Sequence, residues 1–343
     1  MDVGDDKFGG AADRAGTDDR THSPGFGEAA PLNPTQQRVL DLLGMPLAER
    51  PQFDAGLGPD LRADLEAGLA PLVGDDPDAS LWLAKHDLSS VHGCEARYLA
   101  ERAAGFAWSV PLARGTIVHK AVELSVHWRG EAAPLDLVDE AIARLGQDSS
   151  GIGEWLRRCD EVDLAELRSA AGASVTAFGE CFPPIKAAWH PVTEGPVRVD
   201  LLANRVSLKG RIDLSLGRAT GTTAGKVLID LKTGGPNHAH LEDLRFYALL
   251  ETIRIGTPPR LLASFYLDAG QAQPEVVTAG LLDAAVRRTV DGAVRLTELA
   301  AGADPVKRVG TPCRWCPLID SCAEGRAHLF ADDDLEAFDD PID

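Results

Sequence analysis

Two carboxylates and an ammonium sit inside short alternating runs: Asp213 in Arg211-Ile-Asp-Leu-Ser-Leu216, and Asp230 with Lys232 in Val227-Leu-Ile-Asp-Leu-Lys232. Carboxylates that converge from two neighbouring segments bind a hard divalent cation. A lysine beside them lies next to the water that such a cation activates. Four of the six cysteines form a second donor set. Cys94 stands alone in Leu88-Ser-Ser-Val-His-Gly-Cys94, and Cys313-Arg-Trp-Cys316-Pro-Leu-Ile-Asp-Ser-Cys322 gives C-x2-C-x5-C about 220 residues later. Four thiolates suit a tetrahedral zinc or a [4Fe–4S] cluster, and ligand chemistry alone does not separate the two. Cys159 and Cys181 fall outside this spacing and read as ordinary thiols.

The carboxylates act together only if strands hold them. Side chains alternate along a strand, so Val227, Ile229 and Leu231 point one way while Leu228, Asp230 and Lys232 point the other. Asp230 and Lys232 then share a face roughly 7 Å apart. Arg211, Asp213 and Ser215 share a face opposite Ile212, Leu214 and Leu216, so pairing of the two runs brings Asp213 and Asp230 together. The strands expected are 197–202, 206–208, 211–216 and 226–232, with turns at Asn204, Gly217 and Gly225, followed by 261–267 and a further strand near 275. Helices are expected at 88–104, 115–128, 135–146, 161–181, 238–254 and 279–301. A helical pattern also begins after Asn33-Pro-Thr-Gln-Gln37, with Thr35 as its N-cap.

A chain of 343 residues, 44% of them hydrophobic, can bury one large core or two smaller ones. No apolar run approaches the ~18 residues that span a bilayer, and the acidic, glycine-rich start does not read as a signal peptide. Together with cysteines at metal-ligand spacing, this points to a reducing cytoplasm and no membrane partner. The net charge of −19 opposes a nucleic-acid partner, because phosphate contacts need Lys and Arg. Its distribution weakens that objection. Residues 1–30 carry seven acidic and three basic side chains and residues 331–343 carry seven acidic and none basic, so −11 lies in the termini and −8 in the rest. No G-x4-G-K-[ST] exists to cradle ATP phosphates, and Gly221-Thr-Thr-Ala-Gly-Lys226 has the wrong spacing, which excludes a helicase motor in this chain.

The ordered set Cys94, Gly115-Thr-Ile-Val-His119, Gly210-Arg-Ile-Asp213, Ile229-Asp-Leu-Lys-Thr-Gly234 and the three clustered cysteines resembles the PD-(D/E)XK nuclease superfamily. Within it, the likeness is to the RecB/AddB-like branch with a C-terminal iron–sulfur cysteine cluster, similar to the CRISPR-associated adaptation nucleases, over roughly residues 85–325. The resemblance implies an α/β, restriction-endonuclease-like core, a mixed central sheet flanked by helices, with a helical N-terminal part and a cysteine staple. It implies four regions: an acidic disordered tail at 1–32, a helical extension at 33–84, the nuclease-like domain at 85–328 and an acidic tail at 329–343. It assigns His119, Asp213, Asp230 and the Leu231 carbonyl to a Mg²⁺ or Mn²⁺ ion, Lys232 to the nucleophilic water, and Cys94, Cys313, Cys316 and Cys322 to a [4Fe–4S] cluster, with structural zinc as the alternative. The implied activity is hydrolysis of DNA, at single strands or free ends, in recombination or repair beside a helicase or recombination partner. The alternative is a DNA-binding or scaffolding module of the same fold without catalysis. The family's Q-x3-Y reads Asp243-Leu-Arg-Phe-Tyr247 here, and an ionised Asp donates no hydrogen bond to a phosphate. That leaves Tyr247, with Arg245 or His240, as the expected substrate contacts.

Overall fold

The computed structural model describes residues 31–336 apart from Pro77, Glu131, Ser150 and His238, and of 332–336 the backbone only. Of the acidic tails expected at 1–32 and 329–343, residues 1–30 and 337–343 lie outside the described residues, whereas 329–336 continue a helix. The chain forms two compact units. Among the described residues, one comprises 31–63, 108–199 and 210–285, and the other 64–107, 200–209 and 286–336.

The first unit contains α1 (Pro34–Leu43), α5 (Val110–His127), α6 (Pro134–Gln147), α7 (Gly151–Arg158), α8 (Glu161–Cys181), most of β2 (Val192–Leu201) and β3 (Val206–Leu216), then β4 (Val227–Lys232), α9 (Ala239–Ile255), β5 (Leu261–Tyr266) and β6 (Gln271–Val276). β3 pairs antiparallel with β4 in the register Leu214↔Ile229, β4 pairs parallel with β5, and β5 pairs antiparallel with β6. The sheet is therefore mixed, with helices on it, as the α/β expectation required. The strand periodicity sets its two faces. Leu214, Leu216, Val227, Ile229, Leu231, Ala263 and Phe265 form one buried cluster with Ile117, Ala121, Leu167, Val175 and Phe178 of α5 and α8. Leu228 and Leu262 are equally buried but belong to the opposite face, where α9 packs on β4 and β5. Burying each such side chain contributes about 1.5–3 kcal/mol before the entropy of ordering it.

The second unit holds β1 (Leu81–Ala84), α3 (Lys85–His92), α4 (Glu95–Ala104) and α11 (Ala323–Glu336), with the adjoining portions of α2 (Leu57–Val73) and α10 (Ala279–Ala300). β1 pairs parallel with the first four residues of β3.

Three local expectations need correction. The helix expected at 88–104 breaks at Gly93-Cys94, where Gly93 donates to the carbonyls of Ser89 and Ser90 and Cys94 becomes the extended N-cap of α4. Asn33, not Thr35, caps α1: its side chain accepts from the Thr35 and Gln36 amides while Gln36 answers with its own side chain, a reciprocal capping box. Finally, 206–208 and 211–216 are one strand through Lys209 and Gly210. That glycine marks no turn; a Cβ there would lie 2.2 Å from the Tyr247 ring.

Candidate active site

His119 is carried by α5, which enters its first turn through Pro111, the favoured place for proline in a helix. Its Nε2 meets the Leu231 carbonyl at 3.0 Å, so this ring nitrogen carries the proton and donates. Nδ1 faces Asp213 Oδ1 and Glu194 Oε1, both at 3.5 Å. The donor atoms of His119, Glu194 and Asp213 lie within 4.8 Å of one another, as a metal site requires. Asp213 also accepts from the Leu231 amide at 2.8 Å, which locks β3 to β4 one residue beyond the Leu214–Ile229 pair and sets Asp213 across from Asp230.

Asp230 stands beside this set and is turned toward Lys232. The side chain of Asp230 is 3% exposed, and its Oδ2 meets the Lys232 ammonium at 2.7 Å. That contact is an ion pair out of hydrogen-bond alignment, so among the described residues Asp230 Oδ2 is buried without accepting a hydrogen bond. An imidazole nitrogen and three carboxylates, one of them with an orphaned oxygen, make a donor set that fits a hard divalent ion.

Electrostatics report the same crowding. Burial works against a charge on His119, but Asp213, Glu194 and Asp230 around it prevail and raise its pKa to about 9. Burial raises Asp213 to about 6, helped by the negative charges of Asp230 and Glu194 and opposed by His119 and the Leu231 amide. Glu194, despite burial, is held below the usual carboxylate range by His119 and Arg211. With no cation present, the imidazolium acts as the site's internal counter-ion.

Glu194 was absent from the residues the sequence suggested. It sits in β2 with a left-handed backbone, φ 49°, immediately before Gly195-Pro196. A carboxylate ahead of Gly-Pro inside a strand is the signal that could have marked it, because that pair interrupts regular pairing. Tyr247 lies on α9, 5% exposed, with its ring against Gly210 and its hydroxyl accepting from the Arg211 amide at 3.4 Å. Asp243 is buried on the same helix. Arg245 is engaged by Glu242 and by both carboxylate oxygens of Glu275, and His240 Nδ1 pairs with the Tyr266 hydroxyl at 3.2 Å.

In the second unit, Cys94, Cys313, Cys316 and Cys322 line one pocket with Arg97, Lys307, Leu318 and Gly325. All six cysteines are free thiols. Cys313 comes from a short 3₁₀ turn (Thr311–Trp315), and Cys322 accepts a hydrogen bond from the Gly325 amide at 3.4 Å, ahead of the main run of α11. Glu95, next to Cys94 and 2% exposed, accepts from Arg295 and from the Val306 amide, tying α4 to the segment that leads to the three clustered cysteines.

Asp213 thus lies opposite the Asp230-x-Lys232 strand of a mixed sheet, with a helical histidine and Glu194 beside it, a grouping that could hold a metal ion. The chain belongs to the PD-(D/E)XK nuclease superfamily, whose family model matches residues 84–323. No curated relative matches it. Among solved structures it is similar to SSO0001, at 14% identity over 77% of this chain and 94% of that one, with a TM-score of 0.32. It is also similar to a "Putative exonuclease" from Eubacterium rectale, at 10% identity over 81% and 93% of the two chains, with a TM-score of 0.38. Among the described residues, no helix is long and apolar enough to cross a membrane.

Proposed function

We propose that this chain is a Mg²⁺- or Mn²⁺-dependent deoxyribonuclease that processes single strands or free ends during recombination or repair, working in the cytoplasm beside a helicase or recombination partner. The observation that carries the reading is the convergence of His119, Glu194 and Asp213 next to an Asp230–Lys232 pair on the adjoining strand. His119, Glu194, Asp213 and Asp230 would hold the cation. When bound, it supplies Lewis acidity and offsets the charge that develops on the scissile phosphate. The His119–Leu231 hydrogen bond keeps the Nε2 proton in place and presents Nδ1 as the donor. Lys232, 19% exposed and anchored on Asp230, orients or deprotonates the attacking water.

The cysteine cavity supports a [4Fe–4S] staple in preference to zinc. Zn–S bonds of about 2.3 Å hold four sulfurs within about 4 Å of one another. Among the described residues the four thiols share one pocket without gathering within 4.8 Å of one another, which favours a group larger than a single zinc. Its role is structural and asks for no redox chemistry.

Cleavage of labelled single-stranded, duplex and flap DNA with Mg²⁺, Mn²⁺ or EDTA tests the reading. Asp230→Ala and Lys232→Ala should each abolish cleavage while circular dichroism and thermal unfolding show the fold retained. Near-wild-type cleavage by either purified variant would overturn the assignment, and DNA binding without cleavage by the wild type would favour a scaffolding module.

A further inference from the structure

Two of the cations near the site, Lys232 and Arg245, are engaged. Lys232 meets Asp230, and Arg245 is held by Glu242 and Glu275, each side chain less than a quarter exposed. Arg211 differs. It lies two residues before Asp213 on the same strand face, its side chain is 69% exposed, and one Nη meets Glu194 Oε2 at 3.3 Å. Among the described residues its other guanidinium N–H groups have no protein partner. Its backbone, by contrast, is fixed: Gly210 is packed under the Tyr247 ring and the Arg211 amide donates to the Tyr247 hydroxyl. A rigidly based, solvent-facing guanidinium beside a hydrolytic site matches the planar, bidentate geometry of a phosphate diester.

Glu194 links this arginine to the donor set. One carboxylate oxygen faces His119 and the other faces Arg211, from a backbone conformation that side chains other than glycine rarely adopt. Glu194 thus occupies two positions at once: a ligand position toward the cation and a phosphate position toward the guanidinium.

Resting on the nuclease reading above, we propose that Arg211 is a binding site for a backbone phosphate of the DNA, and that Glu194 holds this site closed in the free protein until an incoming phosphate displaces its carboxylate. The freed carboxylate then serves the cation alone, so that DNA at Arg211 and the divalent ion at His119, Glu194 and Asp213 strengthen each other's binding.

The test is fluorescence anisotropy with a labelled 20-nucleotide single strand in EDTA, across a salt series. Arg211→Ala should weaken binding about tenfold and flatten the slope of log affinity against log salt by about 0.7, the share of one phosphate contact on a single strand. Glu194→Gln should strengthen binding several-fold in EDTA while weakening Mn²⁺ binding, measured calorimetrically without DNA, by about tenfold. The double variant separates a latch from simple charge repulsion. If Glu194 acts through Arg211, the gain from Glu194→Gln disappears once Arg211 is Ala; a gain that persists overturns the latch. An unchanged salt slope in Arg211→Ala, with wild-type cleavage in Mn²⁺ intact, overturns the phosphate site and leaves the nuclease reading standing. A wild type that neither binds nor cleaves DNA sinks both.

Discussion

Tyr247 and Gly210 show how closely single residues set this site. The ring lies where a Cβ at position 210 would approach to 2.2 Å, so the Gly-Arg-Ile-Asp segment reaches its place only without a side chain there. Gly210→Ala should therefore cost about 1–3 kcal/mol by overpacking, read as a lower urea midpoint at unchanged slope. That penalty should largely vanish in a chain that already carries Tyr247→Ala, because the two effects share one contact. Equal penalties in both backgrounds would contradict the contact. The placing of Asp213, Asp230 and Lys232 was legible in the sequence, since residue type and alternation suffice to put an Asp and a Lys on one strand face, whereas His119 was reached only through the family resemblance. Glu194 was not. Its arrival depends on a left-handed backbone in front of Gly195-Pro196, a tertiary outcome with no periodic signature. The burial of Tyr247 was equally hidden, because the partner that covers it is a glycine.

At the scale of elements, the strands of the first unit follow from their apolar alternation, and Ile229 and Leu231 enter the helix-covered face as that pattern requires. The helices were harder to delimit. α7 (Gly151–Arg158) is only eight residues long and escaped notice, and α3 and α4 read as one helix because their composition is continuous. Their break at Gly93 is what gives Cys94 its non-helical position at the head of α4, facing the cavity with the three later cysteines. Anaerobically purified protein should accordingly be brown, with broad absorbance near 400 nm from thiolate-bound iron–sulfur. Cys94→Ser should remove the colour and lower the unfolding temperature together, since the binding energy of such a site is also folding energy. A colourless protein with one stoichiometric zinc would decide for the alternative metal.

At the scale of the whole molecule, the charge of −19 shapes substrate choice. No long basic run offers a broad electropositive surface, so affinity must come from a few local contacts and from the cation. Single strands and overhangs can fit their flexible backbone to a few local contacts, whereas blunt duplex presents a wide, rigid cylinder of phosphates. Cleavage of single strands or overhangs should exceed that of blunt duplex, and binding should weaken as salt rises. Comparable or faster degradation of covalently closed duplex would point to an endonuclease with a wider cleft.

The second unit is assembled from three stretches of chain, 64–107, 200–209 and 286–336, with most of the first unit's residues lying between them in sequence. On the ribosome this imposes a delay. At about 5–20 residues per second, Cys94 emerges some tens of seconds before Cys322. Until those stretches follow, α4 lacks Arg295, Val306 and the three later thiols that stand beside it in the finished protein. The four-thiol set is thus complete only at the end of synthesis, and a chain stalled before residue 313 carries Cys94 without its three later partners.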